Sequence, residues 1–238
     1  MNICITGTSS GIGLGLAQEY LERGNHVWGV SRRPVKILSE HRTYKHLQLD
    51  LTDFYQVQKQ VPALIKGLTR LDLVILNAGI LGDIQFIGEL DIKSLKQAME
   101  INVWANKVLL DVLLASPVAL KQVIGMSSIL SVRASEGWGP YCISKAALNM
   151  MIGIYAKEHP DIHFTSFGPG AIDSEIQESI SRIPNTHKYP QIANLQQMRS
   201  SGAMPDAGKA APKLVDAIQK TLEYDSGLFL DIHDLENH

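Results

Sequence analysis

Tyr141 and Lys145 stand four residues apart, so a helical segment would put an ammonium and a phenol on one face. A free phenol, with a pKa of about 10, is a poor proton-transfer group near neutrality, but a neighbouring ammonium favours its phenolate. Ser128 lies thirteen residues before Tyr141, where a hydroxyl can hold and polarise a carbonyl oxygen. The three residue types together suit delivery of a proton to an oxygen on which an alkoxide develops, while hydride reaches the adjacent carbon. Taken singly, each has an ordinary reading: Tyr141 as an amphipathic core residue, Lys145 as a surface lysine that snorkels.

Hydride requires a donor, and the beginning of the chain offers a place for one. Thr6-Gly7-Thr8-Ser9-Ser10-Gly11-Ile12-Gly13 follows a strand-like run and precedes a helical one from Leu14 to Glu22. Glycine leaves room where backbone must approach a pyrophosphate, and the N-terminus of the next helix offers free N–H groups and a positive dipole end. The turn outlines a dinucleotide site, although Gly11 and Gly13 also suit close packing of helix on strand. The second strand ends in Ser31-Arg32-Arg33, where the adenosine ribose lies in such a fold. Arg32 is suited to a 2′-phosphate, which predicts NADP(H) in preference to NAD(H); a solvated surface pair is the other reading. Asp50, beyond the third strand, is placed either to accept from the adenine amino group or to serve in an ordinary helix cap within 50–53.

A scaffold must hold these residues together. Strand-like runs recur at 2–6, 26–31, 46–49, 73–76, 122–126, 163–167 and 228–230, with helix-length segments between most of them. Phe54, Val57, Val61, Leu64, Ile65 and Leu68 recur at helical spacing and make one apolar stripe. Apolar strands alternating with helices are the pattern of a parallel sheet covered on both faces. The expected fold is therefore α/β: a single Rossmann-like, doubly wound domain over 1–238, with a mostly parallel seven-stranded sheet. Pro184, Pro190, Gly202 and Pro205 punctuate an irregular segment around 174–207, which is expected to be a substrate loop or lid.

Composition narrows the partners. A formal charge of -2 gives no broad attraction to nucleic acid or anionic membrane, and no apolar run is long enough to span a bilayer. Cys4 and Cys142 lack CxxC spacing, and the N-terminus lacks a signal-peptide pattern, so a reducing, cytoplasmic setting is expected. Metal is not expected: the eight histidines show no paired ligand spacing, and Pro160 interrupts the segment between His159 and His163. Ser127 and Ser128 have no G-x-S-x-G elbow, which argues against hydrolase chemistry. Met150-Met151-Ile152 reads as core or subunit interface.

Over essentially its whole length the sequence resembles the classical short-chain dehydrogenase/reductase family, whose motifs appear in order. The T-G-x3-G-x-G turn is met by Thr6 to Gly13, the N-A-G by Asn77-Ala78-Gly79 and the helix-kinking Asn by Asn102. The serine is met by Ser128, the Y-x3-K by Tyr141 and Lys145, and the P-G by Pro169-Gly170. The resemblance implies that Asn102 helps carry a water to the lysine, and that Ser128 rather than Ser127 acts on substrate. It also implies cofactor contacts from Gly7, Thr8, Ser9, Ser10, Gly11, Ile12, Gly13, Arg32, Asp50, Leu51, Asn77, Ala78, Gly79, Tyr141, Lys145, Pro169, Gly170 and Ile172. Ser131 departs from the pattern, since the family usually has glycine there.

Within the family the likeness is greatest to the sepiapterin reductase and benzil reductase group. It rests on Gly137-Trp138 before Tyr141-Cys142, on Gly170 to Gln177, and on Asp225 to Asp231. This implies an NADPH-dependent reductase of a small-molecule ketone or dicarbonyl, assembled as a homodimer or homotetramer. The alternatives are a general aldehyde or quinone reductase and a non-catalytic NADP-sensing regulator. Trp138 reads as a pocket wall or a packed aromatic; Asp231 reads as a substrate anchor, a strand cap or a subunit contact.

Overall fold

The computed structural model describes residues 1–184 and 186–236; position 185 in the expected lid and the last two residues of 1–238 lie outside it. Seven strands form one sheet: β1 (Asn2–Thr6), β2 (His26–Ser31), β3 (Tyr44–Gln48), β4 (Leu73–Leu76), β5 (Gln122–Met126), β6 (His163–Gly168) and β7 (Phe229–Asp231). Their order across the sheet is β3-β2-β1-β4-β5-β6-β7, and every pairing is parallel. The "mostly parallel" expectation is thus sharpened to wholly parallel. The order reverses direction between β1 and β4, which opens a crevice at the C-terminal strand ends.

Alternation along the strands divides the core. Ile3 and Ile5 of β1 pack on one side with Leu16 and Tyr20 of α1 (Gly11–Glu22). Leu214 and Ile218 of a late helix, Ala207–Lys220, share that layer. Cys4, between them, faces the opposite layer beside Val57 and Val61 of α2 (Phe54–Leu64). Burial pushes the Cys4 thiol up to about 12, so it behaves as a small apolar group. All six residues of the expected stripe, through Leu68, pack in this layer, although the helix itself closes at Ile65, with Pro62 in its final turn. Asp53 caps it by accepting from the Gln56 amide at 3.0 Å.

Three local expectations are corrected. The third strand begins at Tyr44, because Tyr44 pairs with Val27 and its hydroxyl lies 3.1 Å from that of Thr8. The last strand includes Asp231, which is in register with Gly168. Most of 174–207 is regular: two helices, Glu175–Ser181 and Pro190–Ser200, cross the mouth of the crevice. They dock through a small apolar cluster containing Trp138, Ile180, Tyr189 and Ile192, which supplies the burial that isolated polar helices lack.

Candidate active site

The glycine turn is stitched to the end of β4. Thr6 Oγ1 accepts from the Asn77 and Ala78 amides, each at 2.9 Å, while Asn77 Nδ2 donates to the Thr6 carbonyl at 2.9 Å. Gly7 has φ 73°, and a Cβ on Gly13 would lie 2.3 Å from the Gly7 carbonyl oxygen. Glycine at 13 thus lets the turn and Asn77 pack directly against the start of α1. Its N-cap, Ser10, makes no side-chain cap hydrogen bond, so the first-turn N–H groups stay available to an anion.

A cleft opens there, lined by Gly7, Ser9, Ser10, Gly11, Ile12, Arg32, Asp50, Leu51, Asn77, Ala78 and Gly79 among others. Within the turn, Thr8 and Gly13 do not line it: Thr8 is buried beneath β2 against Tyr44, and Gly13 packs on the Gly7 carbonyl. The uncapped first-turn donors of α1 and Arg32 line this cleft and form a donor set that fits a dinucleotide. Asp50 accepts from the Thr52 amide and hydroxyl, at 3.0 and 2.9 Å, which ties it into its own turn at the cleft edge. Arg33, also on the cleft, is paired at 2.6 Å with Glu175 of the first crossing helix, whose carboxyl it holds below the usual range. No pattern in the sequence links two residues so far apart in the chain.

The second half of the site gathers around a helix with one irregular turn. Residues Glu100–Trp104 form a π turn, and Asn102 sits within it, fully buried. Its Oδ1 accepts from the Ile80 amide at 2.8 Å; its Nδ2 donates to the Ile80 carbonyl and to Ser144 Oγ, both at 2.9 Å. Asn102 thus ties the segment after Gly79 to the long helix Gly139–Glu158, which carries Tyr141 and Lys145. Lys145 Nζ is buried 5.6 Å from the centre of the Tyr141 ring, and burial lowers its pKa to about 8.

Ser128 follows β5; its hydroxyl accepts from the Leu130 amide at 3.2 Å and shares a pocket with the Tyr141 phenol. Burial pushes that phenol up to about 12, and the neighbouring Ser128 hydroxyl acts in the opposite direction. Both residues line a second pocket, which adjoins the cleft along Ile12, Ser174 and Ile176. Pro169, Gly170 and Ile172 line this pocket rather than the cleft. Trp138 contributes to its wall, although only 2% exposed, with its ring tilted against Tyr141 at 5.9 Å. Asp231 lies on the pocket at the end of β7, and its Oδ1 also accepts from the His233 amide at 3.2 Å. Ser127 is committed elsewhere, to Asn149.

Among the described residues, no cluster of three or more His, Cys, Asp or Glu could hold a metal ion, and no helix is long and apolar enough to cross a membrane.

Residues 1–184 match the family model described as short chain dehydrogenase. Mouse (Mus musculus) sepiapterin reductase is 34% identical over 176 residues, covering 71% of this chain and 66% of its own length. Benzil reductase ((S)-benzoin forming) of Bacillus subtilis is 28% identical over 245 residues, covering 97% of each chain. In structure, a short chain dehydrogenase/reductase of Saccharomyces cerevisiae superposes with a TM-score of 0.85 at 23% identity, covering 98% of this chain and 96% of that one.

Proposed function

Because the chain belongs to the short-chain dehydrogenase/reductase family of oxidoreductases, we propose that it is an NADPH-dependent carbonyl reductase acting on a ketone or dicarbonyl, with sepiapterin- or benzil-type diketones the leading class. The observation that carries this reading is that the Ser128 and Tyr141 hydroxyls line one pocket, which adjoins the cleft at the glycine turn.

Backbone N–H groups at the start of α1 and the Arg32 guanidinium would hold the phosphates of a reduced nicotinamide cofactor, which would supply the hydride. Ser128 orients the substrate carbonyl oxygen, and Tyr141 gives its phenolic proton to that oxygen as negative charge develops. The Lys145 ammonium, through space, steadies the phenolate left behind. Asn102 keeps the Ile80 backbone and the Tyr141 helix in register while that proton is replaced from solvent. Asp231 accepts hydrogen bonds from a substrate ring that has donors.

Exposed apolar side chains at Trp104, Ile143, Met150 and Ile154, beside Asn102 and along the Tyr141 helix, support a homodimer or homotetramer. The free thiols Cys4 and Cys142 favour a cytoplasmic setting. The test is oxidation of NADPH by the purified chain against a panel of pterin diketones, aromatic diketones, aldehydes and quinones. Turnover confined to aldehydes or quinones would replace the diketone assignment. NADPH binding without turnover on any substrate would make the chain a sensor.

A further inference from the structure

Three successive residues at the end of β5 meet one helix. The Met126 carbonyl accepts from Lys145 Nζ at 2.6 Å, the Ser127 hydroxyl donates to Asn149 Oδ1 at 2.6 Å, and Ser128 lines the same pocket as Tyr141 of that helix. Tyr141, Lys145 and Asn149 follow at four-residue steps along Gly139–Glu158, so they form a single stripe facing the strand end. The first two members of the stripe are assigned to the reaction; the third is not.

Asn149 makes a second bond. Its Nδ2 donates to Ser131 Oγ at 2.7 Å, and the Ser131 hydroxyl donates to the Ser128 carbonyl at 2.6 Å. The Ser131 amide reaches the same carbonyl at 2.9 Å. This series runs in one direction. Ser131 has one hydroxyl proton and gives it to Ser128, so its oxygen must accept from Asn149; that requirement orients the amide, leaving Oδ1 for Ser127. Glycine at 131, the usual residue in the family this chain resembles, would lack the hydroxyl that closes the series.

We infer that Asn149 and Ser131 are positioning residues that hold the Ser128 carbonyl, and through it aim the Ser128 hydroxyl at Tyr141. The inference rests on the carbonyl reductase reading, in which those two hydroxyls receive the substrate oxygen. Ser127 is buried and the other members are partly buried, so the bonds are sheltered from competing water. A small misalignment of Ser128 acts on the transition state more than on cofactor binding.

Ser131→Ala, Ser131→Thr, Asn149→Ala and the Ser131→Ala/Asn149→Ala double variant, each in the full chain, test this with the diketone that the wild type reduces fastest. Ser131→Ala and Asn149→Ala should each lower kcat by about tenfold, with the NADPH Kd unchanged. The double variant should lose little more than the larger single loss, because one series is cut in two places. Ser131→Thr, which retains a hydroxyl, should recover most of the rate. Amide hydrogen exchange over 128–132 should quicken in Ser131→Ala and return towards wild type in Ser131→Thr. Unchanged kcat in Ser131→Ala, fully additive losses, or failure of Thr to restore either rate or protection would overturn the positioning role while leaving the reductase reading in place. A wild type inert on every carbonyl would sink that reading, and the positioning role with it.

Discussion

Lys145 Nζ donates to the Met126 carbonyl at 2.6 Å, so the cation one helical turn after Tyr141 is pinned to the strand that leads into Ser128. The lysine is therefore both a charge beside the phenol and a strut between helix and sheet. Substitutions at this site should separate those two roles.

Removing the phenolic hydroxyl with Tyr141→Phe should leave NADPH binding near wild type and reduce turnover by roughly a hundredfold or more, the scale of a lost general acid. Cofactor fluorescence titration and steady-state kinetics on one preparation measure both quantities. Near wild-type turnover would exclude Tyr141 as the proton donor.

Burial lowers the Lys145 pKa from 10.5 to about 8. Between those values the unfolded chain holds a proton that the folded chain has released, so stability attributable to this residue rises with pH across that window. Below about pH 8 the fold carries a buried ammonium at its full cost. Lys145→Met removes that cost, on the order of 1–3 kcal/mol less the lost bond to Met126. The variant should resist urea better than the wild type at pH 7, and the advantage should shrink as pH rises from 8 towards 10, with turnover lost throughout. A difference in urea midpoint that does not vary with pH would contradict the linkage.

Arg32 faces the cleft while its neighbour Arg33 is held by Glu175. Arg32→Ala should weaken NADPH binding by about 1.5–3 kcal/mol and leave NADH almost unchanged. Glu175→Gln should release Arg33 towards the 2′-phosphate and tighten NADPH by roughly two- to fivefold, a small gain because the broken ion pair is exposed. Isothermal titration with both cofactors distinguishes these outcomes. Parallel losses for NADH and NADPH in Arg32→Ala would remove Arg32 from phosphate recognition.

Asp231 lines the same pocket as Ser128 and Tyr141 and also caps the turn after β7 through the His233 amide. Asp231→Asn retains an acceptor for that cap but cannot take two donors from a pterin ring with both oxygens. Its kcat/KM should fall by about 1–3 kcal/mol on a pterin diketone and little on a simple aromatic diketone. Equal declines on both, accompanied by a lower melting temperature, would leave only the cap.

The elements legible in the sequence are those whose signals are local. Alternating apolar strands, the bare glycine turn and the four-residue step from Tyr141 to Lys145 depend on near neighbours, and the observed sheet and long helix keep those relationships. The crossing helix Pro190–Ser200 was not legible, because it buries little besides Ile192 and has no apolar stripe to reveal it. Only docking on Tyr189 and Trp138 gives it a place. Partnerships over distance were equally hidden. Arg33 with Glu175, Asn149 with Ser127 and Ser131, and Asp231 with Gly168 join residues that no periodicity relates. Residue type and spacing determined which groups are able to act. Which of them meet was decided by the parallel crossovers, because each crossover returns the chain to the same sheet edge and brings distant strand ends onto one crevice.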